Sequence, residues 1–167
     1  MLNRKSQGAS EVFKYLIIAV ISAVILVGGY KLINLIASRS CQADLSRMEI
    51  DLRNMNQGMR YGEKELKTLK MPCNVEKVYF LDLKAGINPD LFITVPIIKD
   101  ALQTRAANNI FLAVGNDIKH SFYAGSLEIE NPGYLCMKSN AGQISFFVEG
   151  AGESARITIP STQLQCS

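Results

Sequence analysis

The sequence has few of the residues from which active sites are built. Its 167 residues include one histidine, His120, and no G-x-S-x-G segment surrounds a serine. A serine hydrolase of the α/β type needs that turn, so pairing His120 with the adjacent Ser121 as a catalytic couple is disfavoured. C-x-x-C spacing is also absent, which makes the four cysteines and single histidine a poor zinc site.

Other ligand-binding motifs are missing as well. The aspartates are scattered without the spacing of a calcium loop, and the glycines of residues 142–152 lie between predicted strands instead of before a helix. No N-x-S/T sequon for N-linked glycan is present. We therefore predict that the protein is not an enzyme and that it has no cofactor and no metal site.

The charges that are present are balanced over most of the chain. From Arg39 onwards, 14 Lys and Arg side chains accompany 14 Asp and Glu side chains, a net charge of zero. A neutral domain gives no electrostatic reason to bind nucleic acid or anionic lipid. We therefore expect no nucleic-acid partner.

What the sequence does have is one long apolar run, residues 12–36. No charged residue lies between Lys14 and Lys31, and about 20 residues of helix cross a bilayer core of about 30 Å. A buried core helix would seldom be apolar on every face. A cleaved secretory signal has a shorter apolar region, and the option of cleavage near Ala37 stays open. A membrane-spanning helix is favoured.

The flanks of this run bear on its orientation. Arg4 and Lys5 precede it, which predicts a cytoplasmic N-terminus and an extracytoplasmic remainder. Lys14 and Lys31 can extend their ammonium groups to the two membrane interfaces. Lys31 and Arg39 weaken the charge asymmetry, so the cysteines must support the assignment.

The residues before the apolar run form a more specific pattern. A short basic leader ends at Ser6, Gln7 follows, and Glu11 stands four residues later in a Q-x-x-x-E arrangement. Over residues 1–36 the chain resembles type IV pilins with a class III signal peptide, most closely the archaeal version. The resemblance implies that a prepilin-type peptidase cuts between Ser6 and Gln7 and leaves the apolar helix on the mature protein. Ser6 replaces the glycine that is usual at the cut.

The resemblance also implies a role for Glu11, which becomes mature position five. A carboxylate at the membrane edge of an apolar helix is costly unless it is paired. In a filament it would pair with the new N-terminal ammonium of a neighbouring subunit, and the helix N-terminus favours negative charge there. The alternative is that Glu11 is a solvated residue ahead of an ordinary signal anchor. Lys14 is an extra charge for a pilin helix.

An amphipathic helix is predicted after the apolar run. In residues 42–70, apolar side chains recur every three or four positions, which is one helix stripe. The stripe consists of Leu45, Met48, Leu52, Met55 and Met59. Packing of this stripe on its own domain is favoured over a coiled coil, which would need more heptads. Gly58 and Gly62 interrupt the pattern, and Met71-Pro72 ends it.

The remainder consists of short β-rich runs separated by turn residues. Predicted strands are residues 75–83, 109–114, 118–123, 127–129, 134–138, 144–148 and 156–159, with a short helix over 97–107. The fold class is therefore α+β: a long N-terminal helix, membrane-spanning in one half and amphipathic in the other, followed by an antiparallel sheet or small β-sandwich of five to seven strands. The divisions are a leader at 1–6, a transmembrane or filament-core helix at 7–37, a stalk helix at 38–71 and an extracytoplasmic head at 72–167.

All the cysteines follow the apolar run: Cys41, Cys73, Cys136 and Cys166. An even number in an exported domain predicts two disulfides, although zinc binding and free thiols stay as alternatives. Four cysteines permit three pairings. We favour Cys73 with Cys136, both in the β region, and Cys41 with Cys166, which would link the C-terminus to the stalk.

Two functions are compatible with these features. The first is a type IV pilin-like surface subunit, in an adhesive filament or a secretion pseudopilus, whose partners are the membrane, a prepilin-type peptidase and copies of itself or other pilin-like subunits. The second is a signal-anchored ectodomain that binds a ligand and never polymerises. A membrane-anchored hydrolase is a third, weakly supported option. The predicted location is the cell membrane, single-pass, or an extracellular filament.

Overall fold

The computed structural model describes residues 5–55, 59–130 and 132–166, without the side chains of residues 5–12, Asn34, Ala37 and Ser38. The chain divides into two compact units, residues 1–42 and 43–167. The first helix, α1 (Lys5–Arg53), contributes residues to both. The first proline of the sequence is Pro72, so nothing in this stretch forbids a continuous helix.

The second unit begins with the last turns of α1 and continues as a β-rich domain. Its described residues form eight strands, a 3₁₀ helix and one short α-helix. In chain order these are β1 (Lys64–Lys70), β2 (Lys77–Leu81), the 3₁₀ helix (Pro89–Phe92), α2 (Pro96–Gln103), β3 (Ile110–Val114), β4 (Asp117–Phe122), β5 (Ser126–Glu128), β6 (Tyr134–Lys138), β7 (Gln143–Gly150) and β8 (Ser154–Thr158).

The strands form two four-stranded sheets. The first has the order β1-β7-β8-β5 and the second the order β4-β3-β2-β6. Neighbouring strands are antiparallel except β5 and β8, which are parallel. The prediction of an α+β fold with a mainly antiparallel head is therefore confirmed.

One hydrophobic cluster joins the two sheets and the end of α1. Phe80 of the second sheet and Phe146 of the first are both fully buried, with their ring centroids 5.3 Å apart. From α1, Met48 and Leu52 are 3% and 1% exposed and belong to the same cluster. The predicted amphipathic stripe is thus part of the core of this unit.

A second cluster covers the opposite face of the second sheet. Tyr79 and Leu81 of β2 point into it, and Ile98 of α2 and Phe92 of the 3₁₀ helix close it. Burial raises the pKa of the Tyr79 hydroxyl, with a smaller contribution from Tyr134. Because both faces of this sheet are buried, β2 and β3 are nearly continuous apolar runs instead of alternating ones.

The predicted stalk helix over residues 38–71 is wrong in its second half. The helix ends at Arg53, and residues 64–70 form β1, antiparallel to β7. Leu66 and Leu69 are three residues apart, a spacing that fits a helix, but pairing with β7 overrides this local pattern. Gly58 lies outside the described residues.

A tight turn allows that pairing. Gly62 has a φ of 76°, a conformation that glycine adopts readily, and its N–H donates to the Gly150 carbonyl at 2.7 Å. Gly150 in turn donates to the Glu63 carbonyl at 3.0 Å. A side chain at Gly150 would collide with the Arg60 carbonyl, so the close approach of these segments requires glycine there.

The other predicted elements are found near their expected positions. The seven predicted strands correspond to β2 through β8, and the short helix over residues 97–107 corresponds to α2. The described residues form eight strands, whereas the sequence predicts five to seven. The additional strand is β1, which lies within the predicted stalk helix.

The role of α1 in the head core gives a first prediction. Leu52→Ala should lower the free energy of unfolding by about 2–5 kcal/mol, because it leaves a cavity in the shared cluster. Ile50→Ala is the matched control. Its side chain is 55% exposed, so its effect should be below about 0.5 kcal/mol. Denaturant unfolding of the full chain in detergent measures both, and equal effects would contradict the assignment of this helix segment to the core.

Candidate functional site

The most unusual surface of the protein is the apolar part of α1. Phe13–Ile33 has a mean hydropathy of 2.4, and none of its residues is buried. Leu26 and Tyr15, for example, are 73% and 72% exposed. At 1.5 Å per residue these 21 residues extend about 30 Å, the thickness of a bilayer core. Among the described residues this helix is long and apolar enough to cross a membrane.

Polar side chains mark both ends of this segment. Lys14 and Lys31 are exposed, and Tyr15 and Tyr30 stand beside them at 72% and 69% exposure. Lysine and tyrosine combine an apolar body with a polar tip, which suits the interface between lipid and water. The segment therefore has the composition of a membrane span with an anchor residue pair at each end.

The predicted processing and assembly residues lie just before the span. The backbone of Ser6, Gln7 and Glu11 belongs to α1, whereas their side chains lie outside the described residues. Their roles in cleavage and subunit pairing stay predictions.

The predicted two disulfides are confirmed, but the favoured pairing is wrong. Cys136 is bonded to Cys166, with 5.4 Å between their Cα atoms, and Cys41 and Cys73 are disulfide-bonded as well. None of the four is free. The proposed bonds Cys73–Cys136 and Cys41–Cys166 fail because the chain after β8 runs beside β6 and brings Cys166 next to Cys136. The distance between cysteines along the sequence does not show which of them lie close together in the fold.

His120 takes part in a contact between α1 and β4. Its Nε2 lies 3.1 Å from Oε2 of Glu49, and the other oxygen of Glu49 lies 2.6 Å from the Arg53 guanidinium. The neighbouring Ser121 accepts a hydrogen bond from the Asn108 amide at 3.0 Å. Successive strand residues point to opposite faces, so His120 and Ser121 do not form a nucleophile–base pair.

A polar network joins strands β5, β8 and β7 of the first sheet. Ser154 donates a hydrogen bond to Glu128, and this bond lowers the pKa of the Glu128 carboxyl, assisted by Arg156. The Arg156 guanidinium lies 3.3 Å from Glu128 and 3.7 Å from Glu149. Arg156 thus links β8 to its neighbours β5 and β7, which is a structural role.

Sequence reasoning missed a cleft where the two sheets separate. Its volume is about 350 Å³. The lining residues are Ile129, Glu130, Pro132, Tyr134, Leu135, Ile157, Thr158, Ile159 and Gln165. These come from the ends of β5 and β8, the start of β6 and the segment that follows β8. The residues are too far apart in the sequence for any motif to have indicated the cleft.

No known protein family, curated protein sequence or solved structure matches this chain.

The disulfide assignment gives a second prediction, which a tryptic digest under non-reducing conditions tests. Peptide 120–138, with Cys136, should be linked to peptide 157–167, with Cys166. The intact chain should be four hydrogens lighter than its reduced form. A link between peptides 71–77 and 120–138 would instead support the pairing favoured from the sequence.

Proposed function

We propose that this protein is a type IV pilin-like membrane subunit whose apolar helix anchors it in the membrane and packs against the helices of other subunits during assembly. The observation that carries the proposal is the exposure of every residue of Phe13–Ile33. This surface has no partner within the chain's described residues. Lipid and neighbouring apolar helices are the two environments that can cover it.

The residues ahead of the span support the pilin-like form of the proposal. Cleavage between Ser6 and Gln7 would remove a basic leader and keep the whole apolar segment, because Phe13 begins that segment six residues later. A secretory signal peptidase would instead separate the anchor from the head. Retention of the anchor is what assembly through helix packing requires.

The proposed topology places the head outside the cytoplasm. Arg4 and Lys5 precede the span and favour a cytoplasmic N-terminus before processing. The disulfides agree with a head outside the cytoplasm, since such bonds persist in oxidising compartments and are rare in the cytosol. The lysine and tyrosine pairs at the two ends of the span suit the two interfaces.

Assembly would use Glu11 as its electrostatic contact. After cleavage, Gln7 carries a free α-ammonium one helical turn ahead of Glu11. When helices of neighbouring subunits lie side by side with an axial offset, the carboxylate of one can meet the ammonium of the next. Among apolar side chains an unpaired charge costs several kcal/mol, so the pair also selects the register of assembly.

A non-polymerising, signal-anchored ectodomain that acts as a binding module is the second candidate. The exposed Lys14, one residue into the apolar segment, favours it. In a bilayer this ammonium reaches the headgroup region, whereas in a filament core it must be accommodated between helices.

N-terminal sequencing of the mature protein from native membranes separates these candidates and is the third prediction. We expect a start at Gln7 with the apolar helix retained. A start at Met1 would favour the simple anchor, and a start after Ala37 would mean that the head is released and the anchor removed.

The fourth prediction concerns Glu11. Glu11→Ala should reduce the yield of surface filaments at least about tenfold, because loss of one partner leaves the neighbouring ammonium unpaired, at a cost above 1.4 kcal/mol. Membrane insertion, measured by resistance to alkaline extraction, should be unchanged. Glu153→Ala, in an exposed turn of the head, is the control for loss of a carboxylate. An equal filament yield for Glu11→Ala and the parent protein would remove the assembly role.

A further inference from the structure

The segment that follows β8, residues 160–166, crosses from the first sheet to the second, and we name it the strap. It runs antiparallel beside β6, with Met137 opposite Gln165. The Lys138 N–H donates to the Leu164 carbonyl at 2.9 Å, and the Cys166 N–H donates to the Cys136 carbonyl at 3.2 Å. The strap therefore lies along the outer edge of β6, the edge that is not paired with β2.

One side chain of the strap connects both sheets. The Gln163 carbonyl oxygen accepts a hydrogen bond from the Ser145 N–H of β7 at 2.8 Å. The amide nitrogen of Gln163 donates to the Lys138 carbonyl of β6 at 2.7 Å. Among the described residues, these two bonds and the two backbone bonds to β6 are the four hydrogen bonds that attach the strap to the sheets.

The strap also closes one side of the cleft between the sheets. Gln165 lines the cleft together with Ile157 and Leu135. Leu135 and Ile159 are only partly buried against the first cluster. Removal of the strap would therefore expose apolar side chains of the cleft as well as the backbone of the β6 edge.

We propose that the strap is a redox-controlled cover, locked by the Cys136–Cys166 disulfide, whose reduction opens both the β6 edge and the cleft. A dithiol reductant would attack the Cys166 sulfur, because Cys166 is half-buried while Cys136 is 9% exposed. The sulfur–sulfur bond breaks, the two cysteines gain two electrons and two protons as thiols, and the dithiol becomes a cyclic disulfide. This inference holds whether or not the protein polymerises.

The contacts of the strap indicate that the disulfide is needed to hold it. Ordering one residue costs about as much free energy as one hydrogen bond contributes, and the strap has seven residues for four bonds to the sheets. Leu164 and Gln165 are exposed and add little apolar burial. The covalent bond at Cys166 removes most of this entropic cost by tying the segment to β6 in every state of the chain.

An opened β6 edge would present unpaired N–H and C=O groups to another strand. β6 is short and ends at the exposed Lys138, and within the described residues the strap pairs with its outer edge.

The test uses the full chain in detergent micelles with Cys41→Ser and Cys73→Ser, so that Cys136–Cys166 is the only disulfide. Amide hydrogen exchange is compared before and after treatment with dithiothreitol. We expect the amides of Lys138 and Cys166 to exchange at least about tenfold faster after reduction. The amide of Leu81 in the neighbouring strand β2 donates to the Asn109 carbonyl, on the side of β2 that faces away from β6, and its exchange should change less than about twofold.

A second variant controls for misfolding of the first. Cys136→Ser with Cys166→Ser, in an otherwise unchanged chain, should show the same fast exchange at Lys138 without any reductant. Unchanged exchange at Lys138 after reduction would overturn the proposal. Equal acceleration at Lys138 and Leu81 would also overturn it, because it would show that the disulfide stabilises the whole domain and not the strap.

Discussion

The exposed apolar surface of α1 is the constraint on which the rest of the structure depends. Burying a large aliphatic or aromatic side chain contributes about 1.5–3 kcal/mol relative to leaving it in water. Phe13–Ile33 leaves many such side chains exposed around the whole helix. The segment therefore has the length and composition of a membrane span.

The β-rich unit buries its apolar side chains within its own core. Two clusters, one between the sheets and one under α2, take up the apolar side chains of the central strands. The last turns of α1 supply Met48 and Leu52 to the first cluster. The residues of α1 thus present two kinds of surface: an exposed apolar segment, and an amphipathic segment that completes the core of the second unit.

Local sequence patterns were sufficient to predict most of this fold. The uniformly apolar run, the β-branched strands and the turns between them indicated a helix followed by a mainly antiparallel head, and Tyr134–Lys138 was located to the residue. Each of these features is encoded within about ten neighbouring residues. The cysteine count also indicated disulfides, because an even number of cysteines after the apolar run fits a domain in an oxidising compartment.

Features that depend on distant residues were not predictable. Lys64–Lys70 has leucines at helical spacing, and only its partner β7, about 80 residues later, makes it a strand. The pairing of Cys136 with Cys166 likewise depends on where the strap crosses between sheets. The cleft is formed by residues from four segments. In each case tertiary pairing, not propensity, decided the outcome.

The apolar helix alone does not separate an anchor from a filament subunit, because lipid and neighbouring helices cover it about equally well. Glu11 does separate them in physical terms. It stands two residues before the apolar segment, where a carboxylate in a lone anchor stays hydrated and contributes little. In an assembly the same carboxylate would be surrounded by helices and would need a cationic partner, and processing at Gln7 would supply one in the new α-ammonium. Under the proposed function, the energetic contribution of Glu11 would depend on both cleavage and assembly, whereas in a simple anchor the same carboxylate would contribute little.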